Sequence, residues 1–245
     1  MLDPQAQALM QLMVEKGVPP VNTLSPAEAR ASYRSRRTFT QPDAPDVFKV
    51  EDKVFSANGV SVPVRVYHPH AAQTQTALPG LVYLHGGGWT IGDLDTHDVL
   101  CRSLCLQAEV VVVSVDYRMG PEQKFPAAYE DTVAAFNWTV SQAANLGIDP
   151  HRIAIGGDSA GGNLSAAACI GLRDQKGLSV QPVFQLLIYP ATLMWQDTAS
   201  YHANGKGYML TKESIAYYTE SYLRNRDDAK DWRASPQLAN NHAGL

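Results

Sequence analysis

Residues 152–175 read RIAIGGDSAGGNLSAAACIGLRDQ, and this stretch decides the fold. "RIAIGG" (152–157) is a short apolar run that closes on two glycines, the pattern of a buried strand. From Ala160 onward the residues are small and suit a helix packed closely on a sheet. Between the two, Gly157-Asp158-Ser159-Ala160-Gly161 fits G-x-S-x-G. A strand, a sharp turn and a helix in that order set a serine on a strained elbow. Glycines on either side let backbones approach where a Cβ would collide. The helix start then turns its amides and partial positive charge toward the serine oxygen. The same five residues also fit an ordinary strand–helix loop capped by Asp158 or Ser159, so the pentapeptide needs support from elsewhere.

That support lies at His85-Gly86-Gly87-Gly88-Trp89, directly after the apolar run "LPGLVYLHG" (78–86). Three consecutive glycines leave backbone N–H groups unshielded by side chains, suited to surrounding a developing oxyanion. The amide of Ala160 would add a further donor, and losing one such donor typically costs about 3–4 kcal/mol of transition-state stabilisation. A phosphate-binding loop competes for this reading, but neither a G-K-[ST] ending nor G-x-G-x-x-G spacing is present. His85 sits on the strand side of the loop and reads as an organiser of it rather than as a base.

Outward from these two motifs, "EVVVVSVDY" (109–117) and "VFQLLIYP" (183–190) read as further buried strands. Helical patterns separate them, with Val133, Phe136 and Val140 on one face. Strands alternating with helices imply a mostly parallel sheet with helices on both faces. Ahead of them, "KVFSANGVSVPVRVYH" alternates around Asn58-Gly59, a hairpin signal. The first 45 residues look helical. Asp3-Pro4 starts one helix, Leu9, Leu12 and Met13 share its face, and Gly17 ends it. Ser25, Pro26 and Glu28 form a capping box for a second. From 191 the pattern turns aromatic and polar, with Tyr208, Tyr217, Tyr218 and Tyr222 expected in helices. The expected organisation is N-terminal cap helices over 1–45, an α/β core over 46–190, and a cap segment over 191–245.

Composition narrows the class. The 245 residues suit one domain, with 45% apolar and 18% charged residues. A formal net charge of −4 gives no electrostatic reason to expect nucleic acid or an anionic membrane as partner. No apolar run approaches the roughly 20 residues of a membrane span. The start, MLDPQAQALM, lacks the pattern of a secretory signal, so a cytoplasmic protein is expected. Cys101, Cys105 and Cys169 make no disulfide framework, and without a His or Asp cluster beside them they read as packed thiols rather than metal ligands.

"HGGGW", "DYRMGPEQKFPAAYED" (116–131) and "GDSAGG", in this order, resemble the hormone-sensitive-lipase-like branch of the α/β-hydrolases. The resemblance runs to "WRASP", ending at about residue 236. It implies an α/β-hydrolase fold with a helical cap and a serine carboxylesterase of short acyl esters, without a cofactor or metal and often dimeric. Carried over, Ser159 is the nucleophile, Gly87, Gly88 and Ala160 supply the oxyanion-hole amides, and Gly86 supports their loop. Asp116 and Arg118 become structural ion-pair or hydrogen-bond partners. Trp89, Asp158, Tyr208 and Leu210 are expected to contact substrate, with Met194 and Trp195 as further candidates for the pocket wall.

The triad order in this fold is serine, then Asp or Glu, then His. After Ser159 the histidines are His202 and His242, each in a polar stretch. Asp174, Asp197, Asp227, Asp228 and Asp231 lack strand-end context. No triad carboxylate or histidine is assigned. The last two strands of the fold and both residues are expected beyond residue 245, leaving this chain alone inactive or severely impaired. The alternative is a non-catalytic small-molecule binder on the same fold, as in the hydrolase-like hormone receptors of plants, which lack a working histidine.

Overall fold

The computed structural model describes residues 2–57, 59–71, 77–175, 177 and 180–245. Strands β1 (Lys49–Ala57) and β2 (Val60–His68) pair antiparallel with Ala57 opposite Val60, so two residues close the hairpin. Gly59 adopts φ 77°, and Asn58 lies outside the described residues. β3 (Leu78–Leu84), β4 (Val111–Val115), β5 (Ile148–Asp158) and β6 (Gln185–Ile188) complete one sheet, ordered β1-β2-β4-β3-β5-β6. β2 meets β4 antiparallel, and the remaining neighbours are parallel. Short apolar runs form the middle of this sheet because both of its faces are covered.

Two strands depart from the sequence reading. β5 begins at Ile148, where its first residue pairs with Leu78 across an irregular register. β6 shrinks to four residues at the sheet edge, with Val183 and Phe184 each 61% exposed. Tyr189 turns the chain away at φ 36°.

The helices are α1 (Pro4–Glu15), α2 (Pro26–Thr40), α3 (Asp98–Ala108), α4 (Ala127–Ser141), α5 (Ala143–Leu146), α6 (Ala160–Asp174), α7 (Ala199–Ala203) and α8 (Lys212–Tyr222). The Ser25–Glu28 capping box forms as expected. Tyr208 lies outside α8, in an irregular stretch, whereas Tyr217, Tyr218 and Tyr222 are helical. α4 buries Ala128, Asp131, Ala135, Phe136 and Thr139, a face rotated from the expected one because Asp131 must point inward. There it accepts from the Arg118 side chain at 2.7 Å and from the Arg118 amide at 2.9 Å. Arg118 therefore pairs with Asp131, not with Asp116. Burial, then the charge of Asp93, pushes the Asp116 carboxyl up to about 6. Cys101, Cys105 and Cys169 are buried free thiols, as read.

Side chains of α2 grip the loop after the glycine triplet. Arg30 Nε donates to the Thr90 carbonyl at 2.8 Å, and Arg34 pairs with Asp93. Arg37 Nη1 donates to the Asp95 carbonyl at 2.9 Å and Gln41 Nε2 to that of Thr96 at 2.7 Å. Beneath them Val21, Ala29 and Ile91 form a small apolar cluster with Tyr33, Tyr217 and Tyr218 packed on it.

α6 is buried on every side from Ala160 to Ile170, which its small residues allow. Asn163, wholly buried, donates through Nδ2 to the carbonyls of Ala191 at 2.6 Å and Ala234 at 2.8 Å. It thereby ties two distant segments to the central helix. Asn163→Ala leaves both carbonyls without this donor and should cost about 2–3 kcal/mol. Urea unfolding followed by circular dichroism measures it, and a loss under about 0.5 kcal/mol would contradict the assignment.

Candidate active site

Ser159 is the N-cap of α6, with φ 53° and ψ −112°. A left-handed serine is strained, and the surrounding hydrogen bonds hold it there. Its amide donates to the Ile188 carbonyl at 2.9 Å, while its own carbonyl accepts from Asn163 at 3.0 Å and Ala191 at 3.2 Å. A Cβ at Gly157 or Gly161 would collide with the Leu84 carbonyl oxygen at the end of β3. This contact gives the G-x-S-x-G spacing its physical basis. No hydrogen bond engages Ser159 Oγ among the described residues.

Opposite the serine, Gly87 adopts φ 122°, and a Cβ there would strike the Ile91 carbonyl. The Gly87 carbonyl is held by the amides of Thr90 at 3.1 Å and Ile91 at 3.0 Å. Among the described residues no hydrogen bond uses the amides of Gly87 or Gly88, and the Ala160 amide opens a helix and has no intrahelical acceptor. Gly87, Gly88 and Ser159 all border one cavity of about 530 Å³.

The buried Asp158 joins the two motifs. Its Oδ1 accepts from the Tyr83 hydroxyl at 2.8 Å and the Gly86 amide at 2.9 Å, and His97 Nε2 lies 3.3 Å away. Burial pushes this carboxyl up, but the adjacent His97 ring and the Tyr83 hydroxyl outweigh it and hold the group below the ordinary carboxylate value. Asp158 borders the cavity, with Oδ1 directed into the scaffold. Gly86 is required here, because a Cβ would run into the Asp158 carboxylate.

His85 is fully buried, stacked on Tyr117 at 4.3 Å, and its Nδ1 meets the Gly86 carbonyl at 2.9 Å. It has the loop-organising place that the sequence suggested. Trp89, Leu210, Met194 and Trp195 border the cavity. Tyr208 does not: it is 43% exposed and lines a separate recess with Met10 and Met13. Tyr33, Tyr189 and Tyr218 also border the cavity and escaped the sequence reading. Tyr33 comes from a helix more than a hundred residues before the serine, and no local signal marks it.

Among the described residues no histidine borders the cavity. His202, at the end of α7, pairs with Asp197 and meets Lys212 Nζ at 2.8 Å through Nδ1. His242 Nε2 lies 2.9 Å from the Pro236 carbonyl. Neither is placed as a base for Ser159. No cluster of three or more metal-ligating side chains occurs among the described residues.

A model of the alpha/beta hydrolase fold family matches residues 81–245, and the chain belongs to that family. It is 47% identical over 188 residues to carboxylic ester hydrolase LipN of Mycobacterium tuberculosis, an alignment covering 75% of this chain and 49% of LipN. The chain thus spans about half the length of that relative. Ethyl acetate hydrolase of Pseudomonas putida is 36% identical, over 97% of this chain and 76% of the relative. The structure of an ester-hydrolase from the metagenome of Lake Arreo, in complex with a bipyridine phosphonate derivative, superposes with a TM-score of 0.93 at 37% identity. That match covers 100% of this chain and 78% of the other. The fold and family implied by the three motifs are those found.

Burial, followed by the charge of His97, lowers the His85 pKa to about 4. In the unfolded chain it titrates near 6.5, so between these values the unfolded state binds the extra proton. The contribution is complete above about pH 6.5 and is lost as pH falls toward 4, by about 3 kcal/mol at most. Urea midpoints at pH 7 and 4.5 should differ more for the wild type than for His85→Gln. Equal shifts would remove His85 from the acid sensitivity.

Proposed function

We propose that this chain carries the nucleophile and oxyanion hole of a serine carboxylesterase that hydrolyses short-chain acyl esters. The observation that carries the reading is the strained Ser159 facing the unspent amides of Gly87 and Gly88 across one cavity. Ser159 Oγ attacks the ester carbonyl carbon as its proton passes to the triad histidine, which returns it to the leaving alcohol oxygen, and the oxyanion accepts from the amides of Gly87, Gly88 and Ala160. Collapse expels the alcohol and leaves an acyl group on Ser159, which water then removes. The substrate is a small-molecule ester. Residues 1–45 and 191–245 act as the cap, and Trp89 and Leu210 contact the bound ester.

In this reading the triad histidine and carboxylate come from beyond residue 245, and the chain by itself turns over slowly or not at all. A cytoplasmic location and a homodimer belong to the same reading and rest on composition and family resemblance. Among the described residues no helix is long and apolar enough to cross a membrane. A second reading, a non-catalytic binder of small molecules, draws on the lack of a histidine at the cavity among the described residues.

The discriminating experiment is turnover of p-nitrophenyl acetate, with intact-mass analysis after exposure to an activated organophosphonate. In a form that includes the triad histidine and carboxylate, the esterase reading expects one adduct on Ser159, and Ser159→Ala should abolish labelling and lower kcat by about 10³-fold or more. Ligand binding by that form with neither turnover nor adduct would establish the binder instead.

A further inference from the structure

α2 carries four arginines, and three are engaged. Arg30 pairs with Glu122 at 2.6 Å, Arg34 with Asp93, and Arg37 donates to the Asp95 carbonyl. Arg36 differs from them. Among the described residues no carboxylate lies within ion-pair distance of it, and its buried Nε has no hydrogen-bond partner. Nη2 reaches Ser32 Oγ at 3.4 Å, and the guanidinium lies 6.0 Å from the Tyr33 ring. A half-buried cation satisfied only by a long hydroxyl contact and an aromatic face is an unfinished site.

Arg36 lines a recess of about 250 Å³ walled by apolar residues of α1, Met10, Met13 and Val14. Among the described residues no Asp or Glu borders it. The recess shares Leu210 and Tyr218 with the cavity that holds Ser159. Tyr33 borders that cavity three residues before Arg36 on the same helix, a rise of about 4.5 Å. The two spaces thus adjoin at Leu210 and Tyr218, and the Arg36 guanidinium lies 6.0 Å from the ring of Tyr33, which borders the catalytic one.

Resting on the ester-hydrolase reading, we propose that the ester taken at Ser159 carries a carboxylate several bonds from its scissile carbonyl, and that Arg36 recognises it. The planar guanidinium fork matches a carboxylate, and Arg36 Nη2 is held only by its 3.4 Å contact to Ser32 Oγ. The apolar wall suits a methylene chain joining the two ends. A monoanionic carboxylate also leaves water at lower cost than a doubly charged phosphate, which favours it in so apolar a recess.

The test is calorimetric binding, which needs no activated serine. The probe is 6-oxononanoate, a hydrolysis-inert ketone isostere of an ethyl half-ester of a six-carbon dicarboxylic acid, compared with its neutral counterpart 6-oxononanamide. The wild-type chain should bind the carboxylate about tenfold tighter than the amide. Arg36→Gln should remove the difference while leaving amide binding unchanged, and Arg36→Lys should keep part of it. Equal affinity in the wild type, or an undiminished preference in a folded Arg36→Gln, overturns the proposal. Failure to bind 6-oxononanoate at about 10 mM overturns it as well. Organophosphonate labelling and turnover of the form that carries the triad are read separately, so loss of the esterase reading is distinguishable from loss of this one.

Discussion

The Asp158 carboxylate is a single buried acceptor shared by three elements that the chain delivers from far apart. Tyr83 comes from β3, Gly86 from the glycine loop, and His97 from the start of α3. Asp158 itself precedes the serine. Because one oxygen atom takes the Tyr83 hydroxyl and the Gly86 amide, the elbow and the glycine loop hold a fixed relation. Oxyanion stabilisation depends on donors that are already in place when charge develops, so this tie comes before any chemistry at the serine. In the apolar interior an unpartnered carboxylate would be costly, and the three contacts offset that cost.

Backbone strain gathers around the same space. Of the five non-glycine residues with positive φ among the described residues, Trp89, Ser159, Tyr189 and Trp195 all border the cavity. Each such conformation costs on the order of 1–3 kcal/mol, so packing must hold it. Trp89 shows how: its ring stacks on Tyr222 at 4.6 Å and its carbonyl accepts from the Gly120 amide at 2.8 Å. Four strained residues facing one cavity are a cost the fold bears where a ligand is to be held, and the rest of the core offsets it.

What the sequence revealed was local. The G-x-S-x-G turn, the Ser25–Glu28 box and the β1–β2 hairpin each depend on residues a few positions apart, and each has the local geometry read from them. Where a partner lay far along the chain, sequence logic stopped. The aspartate that binds Arg118 is thirteen residues on, on a helix whose inward face periodicity alone misplaced. Tyr208 had the right chemistry for a pocket but lies in a neighbouring recess, and Tyr33 was passed over because α2 reads as an ordinary capped helix. The role of Asp158 was equally hidden, since an aspartate beside a serine has no signature that tells a scaffold acceptor from a substrate contact.

The grip of α2 on residues 90–96 also bears on how members of this family exchange parts. Arg30, Arg34, Arg37 and Gln41 all close on the segment that follows the glycine triplet, two of them on main-chain carbonyls near its far end. An N-terminal region transplanted from a relative would bring its own grip and meet a loop shaped for another. The natural unit of exchange is therefore discontinuous, the N-terminal helices together with the loop they hold, and a chimera that respects this seam keeps the geometry of its glycine loop.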